Sequence, residues 1–147
     1  MHFREITPAD VPATFLVRAA AKENPMPLSG LASLGITVES VNRHLATTHK
    51  GFVCEIDGLV VGFVVADSRS GELWVLAVWP EHEGKGIGRR LMILAQNWLW
   101  SQGYEKLWLT TGIAPTRAFH LYTKLGWKIV GKLDHGGSYR MELHKSH

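Results

Sequence analysis

The fold of this chain is decided by residues 72–102, ELWVLAVWPEHEGKGIGRRLMILAQNWLWSQ. The apolar run at the start of this stretch predicts a buried strand. A short polar segment that contains Gly84, Gly86 and Gly88 follows, and the apolar spacing beyond it predicts a helix of about four turns. Glycines let the backbone approach a ligand closely, and the free N–H groups at the start of a helix favour an anion. The stretch therefore predicts a strand, an anion-binding loop and a helix.

The composition around this stretch is that of a globular protein. The chain has 147 residues, of which 46% are hydrophobic and 20% are charged, and this predicts one domain, residues 1–147, with a core large enough to fold alone. The net charge of +3 is mild and there is no run of like charges, so we expect no nucleic-acid partner. No segment is typical of a membrane span or a signal peptide, so we expect no membrane partner.

Cysteine and histidine usage narrows the chemistry. Cys54 is the single cysteine and cannot form an internal disulfide, which favours a reducing compartment, and we expect a cytoplasmic protein. Its apolar surroundings favour an inert core thiol over a nucleophile. The eight histidines are scattered without the spacing of metal ligands, so we expect no metal site.

Periodicity and turn residues predict an α+β fold with the element order β-α-α-β-β-β-α-β-α-β-β and a mixed, mostly antiparallel sheet flanked by helices. The predicted strands are 2–6, 51–56, 59–66, 72–78, 106–111, 127–133 and 138–143, and the predicted helices are 11–22, 37–48, 88–102 and 114–125. Strand 106–111 must lie parallel to strand 72–78, because a helix connects them. Segment 24–36 is rich in Pro, Gly and Ser but also carries apolar residues, so we expect a loop that folds over a neighbouring surface.

Two motifs carry a resemblance to a known family. They are VWPEHEGKGIG at residues 78–88 and FHLYTKLGW at residues 119–127. Together with the element order, they resemble the GCN5-related N-acetyltransferase (GNAT) family over nearly the full chain. The resemblance implies an enzyme that takes acetyl-CoA as co-substrate and moves the acetyl group directly to a primary amine of a small molecule or peptide within a ternary complex.

The residues themselves suit the pyrophosphate of coenzyme A. A pyrophosphate needs several N–H donors that converge on one place, and a helix start after a glycine loop supplies them. Lys85 and Arg89 can add positive charge. In the family, the backbone N–H groups near Ala77 and Val78 polarise the thioester carbonyl. The expected cofactor-binding residues are Ala77, Val78, Gly84, Lys85, Gly86, Ile87, Gly88, Arg89 and Thr116.

Two positions depart from the family pattern. Glu83 stands where the family's loop usually begins with Gln or Arg, and this removes one side-chain contact with phosphate. Pro115 stands where the family often has Asn, so Thr116 or main-chain groups would replace its contact with the pantetheine arm.

Two other interpretations of the glycine loop are weaker. The glycines could merely form a tight turn, although one or two would suffice for that. A dinucleotide-binding loop would have GxGxxG directly after the strand, whereas here six residues, 79–84, separate the strand end from the inner glycine, and the spacing is GxGxG. Glu105 also precedes its strand instead of ending it.

The resemblance implies two catalytic residues. Tyr122 corresponds to a tyrosine that protonates the departing thiolate, as a phenol with a pKa near 10 can do; the alternative is that it only packs its helix. Glu72 occupies the place of a glutamate that deprotonates the amine in some members, including histone-acetylating ones. It could equally be a solvated turn residue, with Glu81 or Glu83 acting through water, or the amine could arrive neutral.

The tryptophans suggest a substrate wall and an interface. Trp74, Trp108 and Trp127 could line an apolar pocket together with Met26 and Leu28, although core packing is favoured for Trp98 and Trp127. Trp100 and Ile93 lie opposite the main apolar stripe of their helix and suggest a homodimer contact. A non-catalytic acyl-CoA-binding sensor and a nucleic-acid binder are the rival functions, and no charge pattern identifies the acceptor.

Overall fold

A computed structural model describes residues 1–20, 28–111, 117–133 and 138–146, with side chains from residue 31 onward in the second range. The strands are β1 (His2–Glu5), β2 (His49–Ile56), β3 (Leu59–Asp67), β4 (Glu72–Val78), β5 (Lys106–Thr111), β6 (Lys128–Lys132) and β7 (Tyr139–His144). The helices are α1 (Val11–Ala20), α2 (Leu28–Ser33), α3 (Val38–Thr47), α4 (Ile87–Ser101) and α5 (Arg117–Lys124). Short 3-10 turns lie at Pro8–Asp10 and Pro80–His82.

The strands form one seven-stranded sheet in the order β1-β2-β3-β4-β5-β7-β6. Every neighbouring pair is antiparallel except β4 and β5, which are parallel and are connected through α4. The predicted α+β class, the mostly antiparallel sheet and the parallel crossover are therefore confirmed. A turn at Asp57 and Gly58, both with positive φ, joins β2 to β3 as the Asp-Gly pair predicts.

Helices cover both faces of the sheet and create two cores. We call the core beneath α4 and α5 the first cluster; its buried members include Cys54, Val64, Leu73, Leu91, Leu99, Leu107, Tyr122 and Trp127. We call the core beneath α1 and α3 the second cluster; its buried members include Val11, Phe15, Val41, Val53, Phe63, Val65 and Ala77. Cys54 is fully buried, and burial raises the pKa of its thiol, as expected of an inert core cysteine.

The buried face of α4 differs partly from the predicted one. The apolar spacing of the sequence predicts six inward residues, Ile87, Leu91, Leu94, Ala95, Trp98 and Leu99. Four of them are buried: Ile87, Leu91, Ala95 and Leu99. Leu94 and Trp98 are only partly buried, whereas Met92 and Gln96 are buried. Gln96 tolerates burial because its side-chain oxygen accepts a hydrogen bond from the Trp127 indole at 3.0 Å. Periodicity alone excludes a polar residue from this face, and so it missed Gln96.

The expected loop at residues 24–36 contains a helix, and the prediction of a loop throughout was wrong. Helix α2 occupies Leu28–Ser33, and Leu31 on it is fully buried. Gly35, with φ of +78°, follows the helix and ends it. Burial of a leucine outweighed the local Pro, Gly and Ser content. The predicted ends 21–22 and 114–116 of two helices, the segment 24–27 and the hairpin turn 134–137 lie outside the described residues.

Helix α3 begins with a reciprocal side-chain cap. At the start of α3, the Thr37 hydroxyl accepts from the Ser40 N–H at 3.2 Å, and the Ser40 hydroxyl accepts from the Thr37 N–H at 2.8 Å. This reciprocal cap explains why the helix begins where the sequence predicts.

Across the described ranges, every helix is too short or too polar to cross a membrane.

Candidate active site

The glycine loop between β4 and α4 is open on its outer side. Gly84 and Gly86 both have φ of +80°, a conformation that favours glycine. A Cβ built on either residue meets nothing within 4 Å, so the space above the loop is free. Gly88 is different, because a Cβ there would lie 3.2 Å from the Leu121 side chain of α5. The first two glycines thus shape the loop, and the third allows α4 to pack against α5.

The start of α4 presents backbone donors beside this open space. The Arg90 N–H donates to the Gly86 carbonyl at 3.1 Å, which is the first hydrogen bond of the helix. The preceding N–H groups of Ile87, Gly88 and Arg89 therefore have no acceptor within the helix. The Ile87 side chain is buried, whereas Lys85 and Arg89 are exposed. The loop thus combines backbone donors, the positive end of the helix and two cationic side chains.

The negative charge of Glu83, in the glycine loop, is paired with a cation on α5. Its carboxylate lies 3.3 Å from the Arg117 Nε at the start of α5, and only 19% of its side chain is exposed. The ion pair joins the glycine loop to α5. A carboxylate in an anion-binding loop is unfavourable when free, so this pairing makes the departure from the family pattern compatible with phosphate binding.

Strands β4 and β5 touch at one end and then separate. Their register contains one pair, Glu72 with Trp108, and the Trp108 N–H donates to the Gly71 carbonyl at 3.1 Å. We call the opening beyond this pair the β4–β5 gap. Parallel neighbours normally continue as an evenly spaced ladder, so the β5 side of β4 is left with unpaired backbone groups.

The direction of the β4 amides follows from the pairing with β3. The Trp79 N–H donates to the Val61 carbonyl of β3 at 2.7 Å. Amide directions alternate along a strand, so the Ala77 N–H also points toward β3, while the Leu76 and Val78 N–H groups point into the β4–β5 gap. Two backbone donors therefore face the gap close to the glycine loop.

Tyr122 lies in the first cluster, beneath α4. It is 8% exposed, and its ring centroid lies 6.3 Å from that of Trp127. Burial raises the pKa of its phenol to about 12, which keeps the group protonated at neutral pH. Its hydroxyl forms no hydrogen bond to another residue of the described ranges. The side chain thus helps to pack the helix, and its hydroxyl proton has no acceptor among the described residues.

Glu72 lies at the start of β4 on the other face of the sheet. Its neighbour Leu73 belongs to the first cluster, and side chains alternate along a strand, so Glu72 faces the side of the second cluster. Burial and the adjacent Asp67 carboxylate raise the pKa of Glu72 above its ordinary value, against the opposite effect of Arg69 and Arg140. Tyr122 and Glu72 therefore lie on opposite faces of the sheet.

Glu72 ends a row of polar side chains that the sequence did not reveal. His49, Asp67 and Glu72 are opposite one another on β2, β3 and β4, and we call them the polar row. The buried His49 lies with its Nε2 3.5 Å from an Asp67 oxygen, and its Nδ1 contacts the Thr48 hydroxyl at 2.7 Å. Burial lowers the pKa of His49, so the ring is neutral at pH 7.

The position of Trp74 depends on a β-bulge. Val65 pairs with Val75 and Ala66 with Leu73, so the ladder skips Trp74. Both Trp74 and Val75 consequently contact the second cluster, and the Trp74 ring lies 5.2 Å from that of His49. Trp74 thus borders the polar row, as a substrate-wall residue would.

The predictions for the remaining tryptophans are confirmed in part. Trp127, 2% exposed, and the partly buried Trp98 pack in the first cluster, as expected of core residues. Trp108 lies under the Arg140 guanidinium at 4.5 Å. Trp100 is also half-buried against the first cluster, so it was wrong to pair it with the exposed Ile93 as an outward apolar patch.

Some predicted site residues belong to parts of the chain outside the described ranges. Thr116 and Met26 lie outside the described residues, as does the side chain of Leu28. Within the described ranges, no group of three or more His, Cys, Asp or Glu side chains is arranged to hold a metal ion.

Comparison with known proteins shows the family to which this chain belongs. The family described as "Acetyltransferase (GNAT) family" matches residues 25–127. Mycothiol acetyltransferase of Jonesia denitrificans is 43% identical over 72 residues, which cover 46% of this chain and 23% of that protein. Spermidine N(1)-acetyltransferase of Escherichia coli is 31% identical over 103 residues, which cover 63% of this chain and 55% of that protein. The matched region thus spans about a quarter to about half of these relatives.

Solved structures share the fold. PaiA N-acetyltransferase of Thermoplasma acidophilum, in complex with coenzyme A, has a TM-score of 0.82 at 18% identity, with 98% of each chain covered. A Salmonella typhimurium structure with its cofactor acetyl-CoA has a TM-score of 0.76 at 18% identity, covering 100% of this chain and 95% of the other. With a family match over most of its length and this fold, the chain belongs to the GNAT acetyltransferase family.

Proposed function

We propose that this chain is an acetyl-CoA-dependent N-acetyltransferase that moves an acetyl group to a primary amine of a small molecule or peptide by direct transfer in a ternary complex. The observation that carries the proposal is the β4–β5 gap, which has backbone donors on one wall and the glycine loop at its end. Acetyl-CoA supplies the activated acetyl thioester. The names of the relatives that act on mycothiol and spermidine support a small-molecule amine.

The residues present fit coenzyme A. The open space above Gly84 and Gly86 and the free N–H groups of Ile87, Gly88 and Arg89 suit a pyrophosphate. Lys85 and Arg89 are exposed at the rim, where they can add charge. Thr116 is proposed to contact the pantetheine arm. Pairing of Glu83 with Arg117 keeps this carboxylate from opposing the phosphates.

The β4 backbone is proposed to stabilise the negative charge that develops on the thioester carbonyl oxygen. The Val78 and Leu76 N–H groups face the gap, and such pre-oriented donors act strongly in a water-poor site. Ala77 lies between them and contributes to the same wall, with its own N–H directed toward β3. The family resemblance implies a role for the backbone near Ala77 and Val78, and the amide directions along β4 add Leu76.

Tyr122 and Glu72 are proposed to move the protons. Glu72 accepts a proton from the incoming ammonium, directly or through water, since only a neutral amine can attack. Tyr122 donates its proton to the departing sulfur. Burial that raises the pKa of the phenol to about 12 also raises the pKa of a thiol held beside it, so donor and acceptor stay closer in basicity than their values in water suggest.

The organisation of the chain is proposed as a single acetyltransferase domain, residues 1–147, in the cytoplasm. Strands drawn from His2 to His144 share one sheet, which supports a single domain. The buried lone Cys54 supports a reducing compartment. A homodimer through the exposed Ile93 remains a proposal that sedimentation of wild type and Ile93→Ser would test.

The test of the activity is an amine panel with acetyl-CoA, read by release of free thiol and by mass spectrometry of the acetylated product. We expect at least one primary amine to gain an acetyl group in step with thiol release. Tight coenzyme A binding without any product from the panel would favour the non-catalytic sensor.

A further inference from the structure

A small cavity lies on the second-cluster face of the sheet, between α1, α3 and β4. It measures about 20 Å³ and is lined mainly by apolar side chains, among them Phe15, Val41, Phe63, Trp74 and Val75. A space of this size holds one or two water molecules, which is close to the size of a carboxylate group and too small for a ring.

Arg18, in the last turn of α1, is the cationic side chain on the cavity wall. Thr14 is the other polar side chain among the described lining residues, and its hydroxyl donates to the Val11 carbonyl at 2.7 Å. Arg18 forms no hydrogen bond or ion pair with any residue in the described part of the chain. Burial lowers its pKa, yet a guanidinium stays charged. The five N–H donors of the Arg18 guanidinium therefore lie beside an apolar space and have no acceptor among the described residues.

A guanidinium on an apolar cavity wall is unfavourable without an ionic partner, and two other arginines of this chain have carboxylate partners. Arg4 contacts Asp10 at 2.7 Å and Glu55 at 2.8 Å, and Arg69 contacts Asp67 at 2.9 Å. Taking a charge out of water without a partner costs free energy, which an anion bound at the site would recover. The arrangement indicates that a small anion completes the site.

The cavity adjoins the proposed reaction centre through Trp74. The β-bulge turns both Trp74 and Val75 toward the cavity, and the next residue, Leu76, directs its N–H into the β4–β5 gap. Beyond Trp74 lies His49, in the polar row that ends at Glu72. A positive group and a row with two carboxylates therefore flank one tryptophan on the second-cluster face of β4.

We propose that Arg18 binds a carboxylate of the acetyl acceptor, so that the acceptor is a small amino acid whose amine points along β4 toward Glu72. The position of the acceptor's amine rests on the proposed acetyl transfer. The position of its carboxylate rests on Arg18 alone, so carboxylate binding can be tested without measuring turnover. A planar carboxylate accepts two parallel hydrogen bonds from a guanidinium, which fits both the donor set and the size of the space.

The first experiment measures binding. Amino acids and their matched amides, which keep the shape and lose the negative charge, are titrated into the full chain by calorimetry. For at least one pair, we expect the acid to bind about 10- to 100-fold more tightly than its amide, the range for a charge-assisted bidentate contact. Equal affinity within every pair, or no binding by any acid, would overturn the proposal. Preference for a phosphate-bearing amine over every carboxylate would overturn the choice of carboxylate.

The second experiment uses variants. Arg18→Met keeps the length of the side chain and should abolish the preference for acid over amide, while Arg18→Lys keeps part of it. Arg43→Met, on the exposed side of α3, is the matched control and should keep the full preference. Because a desolvated charge is removed, Arg18→Met should leave the Tm unchanged or higher. If Arg18→Met still prefers the acid over the amide, the proposal is contradicted. If Arg18→Met does not fold, Arg18→Lys is used instead, and a full preference for the acid in that variant contradicts the proposal.

The outcomes also separate this inference from the proposed activity. If an amino acid binds through Arg18 and is never acetylated, the carboxylate site stands and the transferase proposal fails. If amines are acetylated with no difference between acids and amides, the transferase proposal stands and the Arg18 site fails.

Discussion

Glu72 and Trp108 form the single registered pair between β4 and β5, the two parallel strands at the centre of the sheet. The Trp108 indole donates to the Ser70 carbonyl at 3.1 Å, and the Arg140 guanidinium covers its ring. This end of the strand pair is therefore held closed while the other end is open toward the glycine loop. The proposed base lies at the closed end of the β4–β5 gap, and the proposed cofactor cradle lies at the open end.

Replacing Gly86 by alanine separates loop shape from cofactor binding. A φ of +80° strains an alanine, so the free energy of unfolding should fall by about 1 kcal/mol. The new Cβ projects into the open space above the loop, and coenzyme A affinity by calorimetry should fall at least about tenfold, or about 1.4 kcal/mol. Gly35→Ala is the control, because Gly35 has a φ of +78° and equal free space but lies between α2 and α3, outside the glycine loop. Equal loss of coenzyme A affinity in both variants would contradict the cradle.

The Glu72 side chain should set the acid limb of the pH–rate profile. As a base it acts only when ionised, and its raised pKa means that kcat/KM is lost as the pH falls through a value above the ordinary 4.5. Glu72→Gln should lower kcat/KM about 100-fold or more and remove this limb. An intact limb in the Gln variant would exclude Glu72 as the base.

The exposed Arg69 provides a check on the sign of that effect. Arg69 lowers the pKa of Glu72, so Arg69→Gln should move the acid limb to higher pH while the maximal rate changes little. A shift to lower pH would show that another group controls the limb. Rates are compared at fixed ionic strength, because screening changes such couplings.

The hydrogen bond between Gln96 and Trp127 should contribute to the free energy of unfolding. Gln96→Leu leaves the Trp127 N–H buried without an acceptor, and the free energy of unfolding by urea should fall by about 1–3 kcal/mol. Gln102→Leu, at an exposed site on the end of α4, should change it by less than about 0.5 kcal/mol. A Gln96→Leu variant as stable as the Gln102→Leu variant would show that the bond contributes little.

Local patterns were sufficient for much of the fold. The apolar run of β4 predicted its bounds, Glu72–Val78, and the turn at Asp57 and Gly58 predicted the β2–β3 hairpin, because both depend on neighbours in sequence. Helix α2 was missed because its formation depends on the burial of Leu31, which no local pattern reports.

The site shows the same division. The glycine loop and the open positions Gly84 and Gly86 follow from adjacent residues. The polar row needs the register of three strands, and the facing of Trp74 needs a bulge, so neither could be read from spacing. Arg18 is, in sequence, one charge on an amphipathic helix. Only packing shows that it lines a cavity and has no ionic partner in the described part of the chain.

The measurement that tests the central claim most directly is turnover and cofactor affinity of Tyr122→Phe. The substitution removes the hydroxyl and keeps the ring that packs near Trp127. If Tyr122 protonates the departing sulfur, kcat should fall about 100-fold or more while the Kd for coenzyme A changes less than about twofold. A kcat equal to that of the wild type, at unchanged Kd, would contradict the account.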